Sequence, residues 1–267
     1  MKKYKIVFSD IDGTLLDTKH QVKENTRKKI LKLESIGIPF VLVSARMPDG
    51  IYPIQKNIGI TAPIVAYSGG LVLNEKGEIL KSIGLDIEKA VELKNTIKDR
   101  WNDICLSIYS ENFWIAENTK DQWIVQEEFI TGLKCIEGDF SKILTEDKKI
   151  HKLMCMGDNK TIAEIEGILK ARYPELSVYR SKDTYLEIMN GKALKSNAIK
   201  ILCEDKKIDI EDSVSFGDNY NDVDMIKATG LGVAMGNAPQ GVKLHADIVT
   251  LDNDSEGLLH ILNQLEF

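Results

Sequence analysis

Three apolar runs in this chain each stop at a short polar signature: YKIVFSDIDGT from Tyr4, PFVLVSAR from Pro39 and SVSFGDNYND from Ser213. A short apolar run ending in polar residues, such as Tyr4 to Phe8, fits a strand buried in a parallel sheet. In open α/β sheets ligands bind beyond the carboxyl ends of the strands, so the three signatures are expected to converge on one crevice.

The text around these runs supports an α/β fold with a Rossmann-like, mainly parallel sheet. A helix is expected from Val22 to Ile36, with Gly37 at its C-terminal end, and Pro48 suits the first turn of another. Ile64 to Ala66 reads as a strand, and Leu71 to Leu73 with Ile79 to Ile83 as a hairpin. The alternation resumes with a helix from Ala193 to Cys203, a strand at Val214 to Phe216, a helix at Asp222 to Ala228, strands at Leu231 to Met235 and Asp247 to Val249, and a closing helix from Ser255. Between these stretches the pattern changes to helices separating strand-like pieces, the mark of an inserted α+β module. The expected division is a core of residues 1–83 and 189–267, with a cap over 84–188. A chain of 267 residues has room for that, at about 150 residues per domain.

Charge and cysteine usage narrow the function. The net charge of -6, with no dense Lys/Arg block, disfavours nucleic acid and anionic membrane as partners. The apolar stretch after the basic start ends at Ser9, too soon for a signal peptide, and no later run is long enough to span a bilayer, so a cytoplasmic protein is expected. Cys105, Cys135, Cys155 and Cys203 form no CxxC pair, and the four histidines are dispersed, so neither zinc nor redox chemistry is indicated.

Asp10 and Asp12, two residues apart at a strand end, would put two carboxylates in one small space, which calls for a cation. Magnesium prefers oxygen ligands and is commonly held by a few carboxylates with waters and a substrate phosphate. Asp218 would therefore join Asp10, with Asp12 offering its backbone carbonyl. Taken singly, DIDGT also reads as an Asp-Gly turn and GDNYND as an Asx-rich helix start; their pairing at two strand ends favours a phosphate and metal site. A carboxylate can attack phosphorus, and Asp10 fits that role. Asp12 would protonate the leaving alkoxide and later activate water. Backbone N–H groups from Ile11 to Gly13, the Ser44 hydroxyl and the Ala45 amide could hold phosphoryl oxygens. Lys192 and Lys195 could each offer a cation, and sequence physics does not choose between them.

These residues resemble the haloacid dehalogenase superfamily, in particular its Cof-type phosphatases with a type IIB cap, over essentially the whole chain. DIDGTLL at 10–16, LVSAR at 42–46, EIMNGKALKSNAI at 187–199 and GDNYNDVDM at 217–225 look like its four motifs, and VAMGNAP at 233–239 is also similar. The resemblance implies the Rossmann-like core, the cap and Mg2+-dependent phosphatase activity. It also implies Lys195 as the phosphate-binding lysine, Asp218 as a metal ligand, Asn221 as a phosphate contact, and Asp222 as an orienter of Lys195 or a support for the metal. Asp12 resembles the phosphatases of the superfamily, since the dehalogenases and ATP-driven pumps lack an acid there. The sequence departs from the family pattern at Ala45, where glycine is common, at Ser68, where asparagine is frequent, and at Asn190-Gly191-Lys192, which replaces Pro-Lys-Gly.

The expected substrates are small phosphorylated metabolites: sugar phosphates, pyridoxal phosphate or flavin mononucleotide. Trp101, Trp114 and Trp123 all lie in the insert, where core packing is the stronger reading and a stacking wall the alternative. A dinucleotide site at GLGVAMGNAPQG fails on spacing, because Gly230, Gly232 and Gly236 do not form GxGxxG. A non-enzymatic phospho-ligand sensor is the remaining rival, and Asp12 with Lys195 argue against it.

Overall fold

The structure, a computed structural model, describes residues 2–267. The chain divides into two compact units: one comprises the residues up to Arg46, Ile51–Lys81 and Leu194–Phe267, the other Met47–Gly50 and Ser82–Ala193.

The first unit is built on an eight-stranded sheet. Its order is Ile248–Val249, Leu231–Ala234, Ser213–Gly217, Ile6–Ser9, Phe40–Val43, Ile64–Ala66, Leu71–Leu73 and Ile79–Ser82. The first six strands run parallel, and Leu71–Leu73 returns antiparallel to Ile64–Ala66. Ile6–Ser9 and Phe40–Val43 are buried throughout, in keeping with runs that lack polar alternation. Ile6, Phe8, Val41, Val43, Val65 and Val72 pack with Ala198, Ile199 and Leu202 of the helix Lys195–Lys206. That helix buries Lys195, Ala198, Ile199, Leu202 and Cys203, a spacing of three and four that defines one face. Its first residue is thus pinned against the sheet by the apolar residues that follow it.

The second unit carries a six-stranded sheet in the order Leu176–Lys182, Tyr185–Asn190, Lys152–Met156, Cys105–Ser110, Phe113–Ala116 and Ile136–Glu137. It is antiparallel except at its last pair. Helices Ile87–Lys98 and Asn159–Arg172 supply Ala90, Leu93, Ile97, Ile162, Ile165 and Leu169 to its core. Trp114 is buried and stacks on Tyr109, Trp123 meets Tyr185 edge-on, and Trp101 packs against the core. The strand Ile136–Glu137 and the helices Phe140–Ile143 and Gln240–Lys243 went unread in the sequence because two to four residues are too few to show a period.

One buried histidine in this unit sets an acid limit on stability. His151 Nδ1 accepts from the Glu111 amide at 3.1 Å and Nε2 lies 3.0 Å from Ser82 Oγ, an arrangement that needs the neutral ring. Burial, with the Lys148 charge, pushes its pKa down to about 4 from 6.5. A depressed histidine favours the fold fully above its unfolded pKa, and that contribution is lost as pH falls through the folded value. Urea unfolding is expected to show His151→Gln losing about 2–3 kcal/mol less than the parent between pH 7 and pH 4.5. Equal losses would contradict the assignment.

Candidate active site

Asp10 follows directly on the strand Ile6–Ser9, and its amide donates to Phe216 O at 3.0 Å. Ser9 stands opposite Phe216 on one neighbouring strand and Leu42 on the other. This register brings the carboxyl ends of the three strands level, so Asp10, Ser44 and Asp218 emerge at one edge of the sheet.

Lys195 joins them from the start of its helix. Its side chain is buried, and Nζ donates to Asp10 Oδ1 and Asp222 Oδ1, both at 2.5 Å, and to Val43 O at 3.3 Å. Those three acceptors fill the ammonium's three donors. Lys192, the other lysine that the sequence left open, is exposed.

Asp222 is fully buried, and its second oxygen, Oδ2, accepts from the amides of Asp218 and Asn219 at 2.9 Å each. It therefore ties Lys195 to the turn that presents Asp218. Asp218 Oδ1 accepts from Thr14 Oγ1 at 2.7 Å. Gly13 sits beside it with φ of 83°, and a Cβ there would stand 2.4 Å from Asp218 Oδ2. Both the left-handed backbone and the close carboxylate demand glycine. Ile11 is buried and Asn221 exposed.

Asp12 takes a different environment. Its side chain is about half exposed, and both oxygens are held by Arg46, Oδ2 by Nε at 2.8 Å and Oδ1 by Nη2 at 2.6 Å. Ser44 is buried, with its Oγ accepting from the Arg46 amide at 3.2 Å, and Ala45 lies half-buried between them.

The charges interact strongly. Burial pushes the Asp10 carboxyl well up, aided by the charges of Asp222 and Asp218 and opposed by Lys195. Burial also pulls the Lys195 ammonium down, but the charges and hydrogen bonds of Asp10 and Asp222 outweigh it and hold its pKa above the ordinary lysine value. Asp218 is pushed up to about 6, first by burial and then by Asp222 and Asp12, against the Thr14 hydrogen bond and Lys195. The centre thus holds more negative charge than one lysine neutralises.

Asp10, Asp218 and Asp222 each offer a carboxylate oxygen within 4.8 Å of the others. Hard oxygen donors of this kind fit a divalent cation such as Mg2+. Asp10 Oδ2 and Asp218 Oδ2 are the oxygens not engaged by protein donors, whereas both oxygens of Asp222 are taken.

Sequence reasoning passed over Thr14 and Arg46 as contacts. Both stand inside quoted motifs, but only the placement of the Asp218 and Asp12 carboxylates shows what they touch. The glycine-rich stretch after Thr229 is the strand Leu231–Ala234 followed by a turn.

A family model described as haloacid dehalogenase-like hydrolase matches residues 7–262. A Haemophilus influenzae protein with a provisional phosphatase name is 36% identical, over 98% of each chain. Among solved structures, a Thermotoga maritima protein superposes with a TM-score of 0.90 at 28% identity, covering 99% of this chain and 98% of that one. A haloacid dehalogenase-like hydrolase from Bacteroides thetaiotaomicron gives 0.88 at 29% identity, over 98% of this chain and 99% of that one.

Proposed function

The chain belongs to the haloacid dehalogenase-like hydrolases and is a phosphatase, and from that premise we propose that it hydrolyses small phosphorylated metabolites, with Mg2+, through an aspartyl-phosphate at Asp10. The observation that carries this reading is the buried Lys195 held between Asp10 and Asp222, with Asp218 beside them at the carboxyl ends of parallel strands.

The chemistry balances in two steps. An oxygen of Asp10 attacks phosphorus, the bond to the leaving oxygen breaks, and Asp12 gives that oxygen a proton. Water then attacks the phosphorus of the acyl phosphate while Asp12 takes its proton, and the bond to Asp10 breaks. Arg46 takes one lone pair on each oxygen of Asp12, so the proton moves at a remaining lone pair of this half-exposed carboxylate. Lys195, exchanging its long bond to the Val43 carbonyl, and the Ser44 hydroxyl bind phosphoryl oxygens, helped by the amides of Ile11 to Gly13 and Ala45 and by Asn221. Asp222 acts through Lys195 and the Asp218 turn rather than on the substrate.

Asp10 and Asp218 would hold the cation by side-chain oxygens and Asp12 by its carbonyl. A bound Mg2+ would screen the repulsion between Asp10 and a phosphate dianion and polarise the phosphoryl group. The segment 84–188 is assigned the choice of leaving group, as sugar phosphates, pyridoxal phosphate and flavin mononucleotide differ in that part alone.

The test is release of free phosphate from a panel of these compounds with Mg2+. Chelation with EDTA is expected to stop release, and added Mg2+ to restore it. Release unaffected by exhaustive chelation would remove the metal from the account. Binding of phosphate analogues without release from any compound would favour the sensor reading instead.

A further inference from the structure

Ser68 lies in the same unit as the carboxylate cluster and has no part in the chemistry above. It is 8% exposed, and its Oγ is buried without a hydrogen-bond partner. Four described side chains carry such an atom, and the other three, in Ser107, Trp114 and Glu127, belong to the second unit. A buried hydroxyl left unpaired is costly, and each such group calls for a physical reason.

Its backbone is equally unusual. Tyr67 and Ser68 both have φ of 52°, two consecutive side-chain-bearing residues in the left-handed region, and Gly69 follows at 103°. Such conformations persist only where the surroundings impose them. The surroundings here are the two segments that supply the site. The Ser68 amide donates to Ser44 O at 2.9 Å and the Tyr67 amide to Arg46 O at 3.0 Å. On the other side, a Cβ on Gly69 would stand 2.2 Å from Leu194 O, the residue just before Lys195. The loop is wedged between the end of the Ser44 strand and the start of the Lys195 helix, and the strained turn holds an unpaired hydroxyl there. Ser44 and Lys195 are themselves 2% and 1% exposed, so Ser68 is buried to a degree comparable with the two side chains given to the phosphoryl oxygens.

We propose that Ser68 is a substrate-positioning residue whose Oγ donates a hydrogen bond to an oxygen of the bound phosphoryl group, beside Ser44. The proposal rests on the phosphatase reading but is tested by binding as well as by turnover.

Two measurements serve: the calorimetric Kd of inorganic phosphate in the presence of Mg2+, and the kinetics of p-nitrophenyl phosphate hydrolysis. Ser68→Ala and Ser68→Gly are each expected to raise Kd and KM together by about five- to tenfold, the effect of one lost hydrogen bond, with kcat changed less than about threefold. Ser68→Gly removes the backbone strain and should unfold at or above the wild-type temperature, which separates lost binding from lost folding. Ser68→Asn, which tolerates the left-handed region and keeps a donor, should recover most of the affinity. Kd and KM within about twofold of wild type in both Ser68→Ala and Ser68→Gly would overturn the proposal, whatever the unfolding temperatures. Phosphate binding without any hydrolysis by the wild-type protein would count against the functional reading alone, and the Kd comparison would still decide the role of Ser68.

Discussion

Asp10→Asn is expected to lower phosphate release by at least about 10⁴-fold while leaving the protein folded, the loss typical when a covalent nucleophile is removed. The amide is nearly isosteric but cannot attack phosphorus. It also changes the balance of charge. Asp10 is buried, and burial is the largest influence on its carboxyl, so replacing it by a neutral group removes a charge that the interior disfavours. Lys195 keeps Asp222 and the Val43 carbonyl as acceptors. Stability should therefore hold within about 1–2 kcal/mol of wild type, since a charge pair is simplified rather than orphaned. Phosphate release and a denaturation curve on the same preparation check both halves.

Lys195→Met is expected to have the opposite profile, with a large loss of stability added to the loss of activity. It removes the cation that Asp10 and Asp222 share in a site 0% exposed at the lysine side chain. Truncating one partner of a buried ion pair typically costs about 3–5 kcal/mol, because the remaining charge has neither water nor counter-ion. The sign of its pH dependence follows. Lys195 opposes the rise in the Asp10 pKa, so without it Asp10 titrates still higher in the folded state. A carboxyl whose folded pKa is raised favours the fold when protonated, so the deficit of Lys195→Met should shrink as pH falls toward the ordinary aspartate range. Adding Asp10→Asn should recover part of the loss, since it removes one of the two stranded carboxylates. A deficit that is flat with pH and not relieved by the second substitution would mean that Lys195 acts through packing of its stem.

Much of this was legible from the chain because Ile6–Ser9 and Phe40–Val43 are short apolar runs with a polar stop, and Ser213–Gly217, though serines interrupt it, ends the same way. Burial on both faces of a parallel sheet produces that pattern, and the level register at Ser9, Phe216 and Leu42 turns it into one site. Spacing alone left Lys192 and Lys195 open, and only the family resemblance pointed to Lys195. Its helix face decides the matter, because Ala198, Ile199 and Leu202 seat the helix on the sheet and carry the lysine inward with them. The bonds of Asp12 to Arg46 and of Asp218 to Thr14 were not legible, since which carboxylate oxygen meets which donor depends on side-chain placement that no spacing encodes. Ser68 stood out in sequence only as a departure from a pattern; its left-handed backbone and unpaired hydroxyl are properties of the folded turn. The short helices of four residues lacked a period to read.

The central claim is that Asp10 carries the phosphoryl group, and the most direct test is to look for it there. With p-nitrophenyl phosphate, whose leaving group departs without a proton from Asp12, Asp12→Asn should slow chiefly the second step by removing the base that activates water, so the intermediate should accumulate. After rapid acid quench from a phosphorylated substrate with Mg2+, mass spectrometry of the peptide spanning Asp10 should show the mass of one added phosphoryl group, absent in Asp10→Asn. Phosphate release by the wild-type protein with that peptide always unmodified, together with turnover retained in Asp10→Asn, would contradict it.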